Sequence, residues 1–112
     1  MQKIFIIIIS YLIMSCNLNT NPQDEKLKQY FQEQWEQNLD NYPEFATYLG
    51  DHRYNDRLTD MSLDAVTKRQ NQTEASLDEL SNIHRNKLST EYKLYYDLYV
   101  DKLKQSIEGQ QY

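Results

Sequence analysis

The sequence predicts an all-α fold of four amphipathic helices, one of them short. Three observations carry that prediction. The 112 residues include only two Gly and two Pro, too few for the tight turns of an all-β chain. Leu, Gln, Glu, Lys and Asp are plentiful while Val and Thr are scarce, a bias toward helix formers. Apolar residues recur at alternating spacings of three and four through most of the chain, the period of one helical face.

The first helix is expected over about residues 22–40. Asn21 is suited to cap it, Pro22 to its first position, and Asp24 to the positive end of its dipole. Leu27, Tyr30, Phe31, Trp35, Leu39 and Tyr42 form one stripe, read as a core-packing face. Pro43 excludes Tyr42 from the α region and breaks this helix. A short second helix then runs from Pro43 to Leu49, stopped by Gly50 at a left-handed C′ position. The third helix is expected over about 62–86, capped by Ser62. Its seam is Leu63, Val66, Gln70, Thr73, Leu77, Leu80 and His84, continuing to Leu88, polar in the middle and so not a tight coiled coil. His84 reads as a half-exposed seam residue near a helix C-terminus. Ser89 or Thr90 caps the last helix, which Gly109 ends. Tyr92, Tyr95, Tyr96, Tyr99, Leu103 and Ile107 make its main stripe, widened by Leu94 and Leu98. A helix apolar over so wide an arc calls for neighbours on more than one side.

The leading residues read as an address. Lys3 precedes an apolar run of about eleven residues from Ile4 to Met14, shorter than the ~20 that a membrane span needs. It suits the apolar region of a signal peptide. Ile13, Ser15 and Cys16 then resemble a bacterial lipobox, with an aliphatic residue three before the cysteine and a small one just before it. The expected organisation is a lipoprotein signal peptide over 1–15, a lipidated Cys16 with a polar tether over 16–21, and a helical portion over 22–112. Lipid on Cys16 is the expected contact with the membrane, since several acyl chains anchor where one would be marginal. Asn17 stands where inner-membrane lipoproteins often carry Asp, so the expected location is the bacterial cell envelope, at the outer membrane facing the periplasm.

Charge and composition exclude several functions. The net charge is −5, and the Lys and Arg residues are dispersed, which disfavours nucleic acid as a partner. A single cysteine excludes an internal disulfide and a multi-cysteine zinc site. The two histidines, His52 and His84, are too far apart in sequence for a paired zinc motif. No glycine-flanked serine or phosphate-binding loop is present. The chain by itself carries no catalytic set, no metal site and no cofactor.

The densest chemistry lies in the stretch 48–60, where Asp51, His52, Arg53, Asp56 and Arg57 interleave with Tyr48, Tyr54 and Leu58. Two readings stay open. In one, Arg53 and Arg57 pair with Asp51, Asp56 or Asp60 and the loop is a structural ion-pair network. In the other, His52, Arg53 or Arg57 faces a cleft and holds a substrate carboxylate or peptide carbonyl.

Three segments support a resemblance. Phe31-Gln32-Glu33-Gln34-Trp35, then Pro43-Glu44-Phe45-Ala46-Thr47-Tyr48-Leu49-Gly50-Asp51-His52-Arg53-Tyr54, then Asp56-Arg57-Leu58-Thr59-Asp60-Met61-Ser62 look like the N-terminal part of the bacterial domain of unknown function 885 family. Leu88-Ser89, Tyr96-Asp97-Leu98 and Ile107-Glu108-Gly109 resemble its next helix, so the likeness spans roughly residues 27–112. The resemblance implies a larger helical protein, often a lipoprotein, with a fold similar to zinc carboxypeptidases. Its His-Glu-x-x-His-like motif lies downstream of the matched region, so no zinc ligand or catalytic glutamate carries over to this chain. The expectation is therefore an N-terminal fragment of a lipid-anchored, metallopeptidase-like protein, with zinc and a peptide substrate belonging to the full-length form. The alternative is a complete small helical envelope lipoprotein acting as a binding or assembly module.

Overall fold

The computed structural model describes residues 20–111. The expected signal peptide, Cys16 and the first part of the expected tether lie outside the described residues. Four helices follow in order: α1 (Pro22–Asn41), α2 (Pro43–Tyr48), α3 (Leu63–Leu80) and α4 (Thr90–Gly109). Short 3₁₀ turns occupy His52–Tyr54 and Arg85–Lys87. There is no strand among the described residues, so the fold is all-α.

Local chemistry accounts for where the helices begin. The Asn21 carboxamide accepts the Gln23 N–H at 2.9 Å, with Pro22 in the first turn. Tyr42 sits at φ −131°, ψ 74°, outside the helical region, and Pro43 restarts the chain as α2. Ser62 Oγ accepts the Ala65 N–H at 3.2 Å to open α3. Ser89 does precede α4, but its hydroxyl makes no capping bond. Its N–H instead donates to Asp24 Oδ1 at 2.9 Å.

The third helix ends six residues before the expected 86. The N–H groups of Ser81, Asn82 and Ile83 turn to carbonyls only three residues back, at 3.0 Å each, and the Ser81 hydroxyl also donates to the Asp78 carbonyl. Tightening the chain here swings Ile83 and Leu88 into the core and leaves His84 exposed. The aliphatic Ile83 thereby takes the buried place expected of His84, while Leu88, on the expected seam, is buried as well. Leu63, expected on the seam, is 85% exposed at the other end of α3.

The first turn of α1 is fastened to the α3–α4 connection. Asn21 Nδ2 donates to the Lys87 carbonyl at 2.8 Å, and the His84 N–H to Gln23 Oε1 at 3.0 Å, beside the Asp24–Ser89 bond. From that end α1 runs alongside α4 in the same direction and antiparallel to α3. Leu27, Tyr30, Leu80, Ile83, Leu88 and Leu103 form the core, flanked by Phe31, Leu77, Tyr92, Tyr96, Tyr99 and Val100.

The tyrosines are used as bulky seam residues with a polar tip. Tyr30 packs edge-on against Tyr99 at 5.7 Å while its hydroxyl donates to the Ser76 carbonyl at 2.9 Å. Phe31 meets the same Tyr99 ring at 5.1 Å. The Tyr96 hydroxyl reaches the Leu80 carbonyl, in the last turn of α3.

Candidate functional site

The charged loop begins with a helix stop that only glycine takes easily. Gly50 has φ +87° and donates its N–H to the Thr47 carbonyl at 3.0 Å. The Asp51 N–H reaches back to the Ala46 carbonyl at 2.9 Å, the paired bonds of a Schellman ending. Asp51 then caps the 3₁₀ turn, accepting the Arg53 N–H at 3.1 Å. The same carboxylate holds the Arg53 guanidinium at 3.0 Å from Nε and 2.6 Å from Nη2.

Beyond that local pair, the arginines reach out of the loop. Arg53 Nη2 also pairs with Glu36 of α1 at 3.0 Å, and Arg57 pairs with Asp40 one turn further along. Both guanidinium groups lie over the Tyr54 ring, 5.4 Å and 5.0 Å from its centre. His52 Nδ1 is 3.1 Å from the Asn55 carboxamide, whose oxygen accepts the Thr47 hydroxyl at 2.6 Å. Glu44 of α2 accepts both the N–H (2.9 Å) and the hydroxyl of Thr59. Asp60 accepts the Ser62 N–H, and its carbonyl takes Arg69 Nη1 at 2.7 Å. The loop is thus sewn to α1, α2 and α3 in turn.

These contacts set the electrostatics. Hydrogen bonds from the Arg53 side chain and then its backbone hold the Asp51 carboxyl below its ordinary range. The hydroxyl and N–H of Thr59 do the same for Glu44, and the Ser62 N–H for Asp60. Arg53 is held above its ordinary value by Asp51 first and Glu36 second. All these groups are open to solvent, so the network fixes the direction of the loop more than it adds to stability.

Of the five residues singled out in the loop, the fold brings Asp51 and Arg53 into direct contact, with His52 beside them. Arg57 goes to Asp40 rather than to Asp56 or Asp60, and Asp56 makes no ion pair among the described residues. Glu36, Asp40 and Glu44 were not foreseen as partners. A signal for them existed: the three acids are spaced by four, as are Arg53 and Arg57, so two matched rows of opposite charge were there to be aligned.

A second feature lies between the helices. α1 and α4 wall a groove of about 780 Å³ whose floor is α3. Trp35 and Tyr42 stand on the α1 side, Tyr95 and Leu98 on the α4 side, all four exposed. The floor is polar and mostly satisfied internally. Ser76 donates to Gln34, and Asn41 donates to Gln72 at 2.9 Å. None of Asp51, His52, Arg53, Asp56 and Arg57 lines this groove. Among the described residues no group of three or more His, Cys, Asp or Glu is placed to hold a metal ion, and no helix is long and apolar enough to cross a membrane.

A family model described as "Bacterial protein of unknown function (DUF885)" matches residues 43–112, more than half of the chain. The match starts at Pro43, so the 31–35 segment of α1 falls outside it, while α2, the charged loop, α3 and α4 fall within it. No curated protein and no solved structure matches the chain.

Proposed function

The chain belongs to the bacterial DUF885 family, and from that membership we propose that its helices form the N-terminal wall of a longer, lipid-anchored, metallopeptidase-like protein of the cell envelope. The observation that carries the reading is the groove. Trp35 (49% exposed), Tyr95 (41%) and Leu98 (59%) line one continuous channel between α1 and α4, and apolar surface of that extent on a folded protein marks a packing or binding face. In this reading lipid on Cys16 holds the protein at the membrane, and the stitched loop aims α2 and α3 relative to α1. The described residues offer no donor set for zinc, so the metal and the peptide-cleaving groups belong to the remainder of the protein.

The test begins at the gene. A reading frame continuing past codon 112, with a His-Glu-x-x-His motif inside it, is expected. Its purified product should hydrolyse peptides and lose that activity to a chelator. Cys16→Ala should release the protein from the membrane fraction.

The second reading, a complete small envelope module, draws on the fastening of α1 to the α3–α4 connection, which closes one end of the bundle without outside help. A stop codon directly after Tyr112, with a cooperative melt and no dye-binding surface, would decide for it.

A further inference from the structure

Helices α1 and α4 run parallel, with α3 antiparallel to both, so the three occupy three corners of a four-helix arrangement. The groove is the fourth corner. Its walls present Trp35, Tyr42, Tyr95 and Leu98 beside the amides of Gln37 and Asn38, while Gln34, Asn41, Gln72 and Ser76 are already paired with one another. An occupant therefore needs an apolar stripe more than hydrogen-bonding groups, which suits a helix laid in a groove.

Charge narrows the occupant further. The chain carries 17 acidic and 12 basic residues, yet the groove lining holds no carboxylate and two cations, Arg69 and Lys102. Each cation lies over an aromatic ring, Arg69 over Tyr42 at 5.7 Å and Lys102 over Tyr99 at 5.3 Å. Neither forms an ion pair among the described residues, although Arg69 Nη1 already donates to the Asp60 carbonyl. A second copy presenting the same face would bring four cations together, so self-pairing through the groove is disfavoured.

We infer that the α1–α4 groove seats a fourth helix whose apolar stripe packs on Trp35, Tyr95 and Leu98 and whose carboxylates meet Arg69 and Lys102. The helix comes from the remainder of the same polypeptide, a source that rests on the reading proposed above. Arg69 lies at the Tyr42 end of the groove, and Lys102, over the Tyr99 ring that packs on Phe31, lies nearer its other end. The occupant's carboxylates are therefore spread along its length, one group meeting Arg69 and another meeting Lys102, rather than gathered in one turn.

The charge preference is tested on the 112-residue chain in phospholipid nanodiscs, with two synthetic helical peptides as probes. They share a Leu/Ala face, and one carries Glu where the other carries Lys. The Glu peptide should bind at least tenfold more tightly, more weakly at high salt, and Arg69→Glu with Lys102→Glu should invert the preference. If circular dichroism shows that this variant has lost helix, Arg69→Gln with Lys102→Gln replaces it and should abolish the preference. Equal binding of the two peptides, binding of neither, or indifference to both double substitutions overturns the proposal.

The source is tested separately, with a photo-cross-linking residue at Leu98 in the gene's full product. A link within the polypeptide to a carboxylate-bearing helix is expected, and a link to another protein overturns the assignment. A frame that stops at Tyr112 removes the longer protein and this source with it, while the peptide result still decides whether the groove prefers an acidic helix.

Discussion

Arg53 meets Glu36 at 3.0 Å across 17 residues of sequence, and Arg57 meets Asp40 across the same separation. Equal offsets mean that the loop lies along α1 in register, two arginines four residues apart facing two acids one helical turn apart. The loop is therefore located by α1, although the matched family region begins only after it.

Replacing Arg53 by Ala should loosen the loop without unfolding the bundle. Protease cleavage within 48–60 should accelerate while the far-UV circular dichroism stays constant. Glu36→Gln should give a smaller acceleration, since Asp51 still holds the guanidinium. Unchanged cleavage in both variants would show that the network does not order the loop.

The pH dependence follows from depressed carboxyl groups. Asp51, Glu44, Asp60 and Asp97 are all held below their ordinary range, chiefly by Arg53, Thr59, Ser62 and Arg85 respectively. Their stabilising effect is complete above the unfolded-state values of about 4 and is lost as the pH falls through the lower folded values. Because these carboxyls are solvent-exposed, thermal melts should hold steady down to about pH 5 and decline only modestly below it. Tyr30 sets the opposite limb. Burial raises its phenol, so its contribution is intact below about pH 10 and fades as the pH rises further.

Core and rim of α3 should respond differently to truncation. Leu80 is 1% exposed, and Leu80→Ala should cost about 2–5 kcal/mol in urea unfolding. Leu63 stands at the other end of the same helix, and Leu63→Ala should stay within about 0.5 kcal/mol of the parent. Similar losses for the two would contradict the placement of the core at the α3–α4 connection.

The two glycines should also separate. At Gly50 an added Cβ meets nothing within 4 Å, so the cost of Gly50→Ala is the left-handed backbone alone, about 1–2 kcal/mol. Gly109 is helical and equally open, and Gly109→Ala should be neutral or stabilise by up to about 1 kcal/mol. Denaturant midpoints of the two variants give the comparison directly.

Helix beginnings were legible because their signals are local. Asn21 with Pro22, Pro43 after Tyr42, and Ser62 each act within a few residues, and Gly50 needs only its own φ. The end of α3 was not legible. A continuous seam through His84 and a fold-back that buries Ile83 and Leu88 are both compatible with the same spacing, and only the presence of α1 decides between them. The loop's charges were visible while their partners were not, because pairing Arg57 with Asp40 depends on how α2 folds back beside α1. The groove was invisible for the same reason. Trp35 and Leu98 sit on stripes that read as core, and which part of a stripe stays open is set by how three helices meet.

The fastening of α1 has a consequence for how this chain is made. Its first turn is held by bonds that reach 61 to 66 residues ahead. During synthesis the earliest helix to emerge therefore has nothing to dock on until the α3–α4 connection follows it, and closing so long a span is slow compared with forming the later hairpin. Through that interval the side chains of Leu27 and Tyr30 remain wet, a natural target for whatever escorts nascent polypeptides.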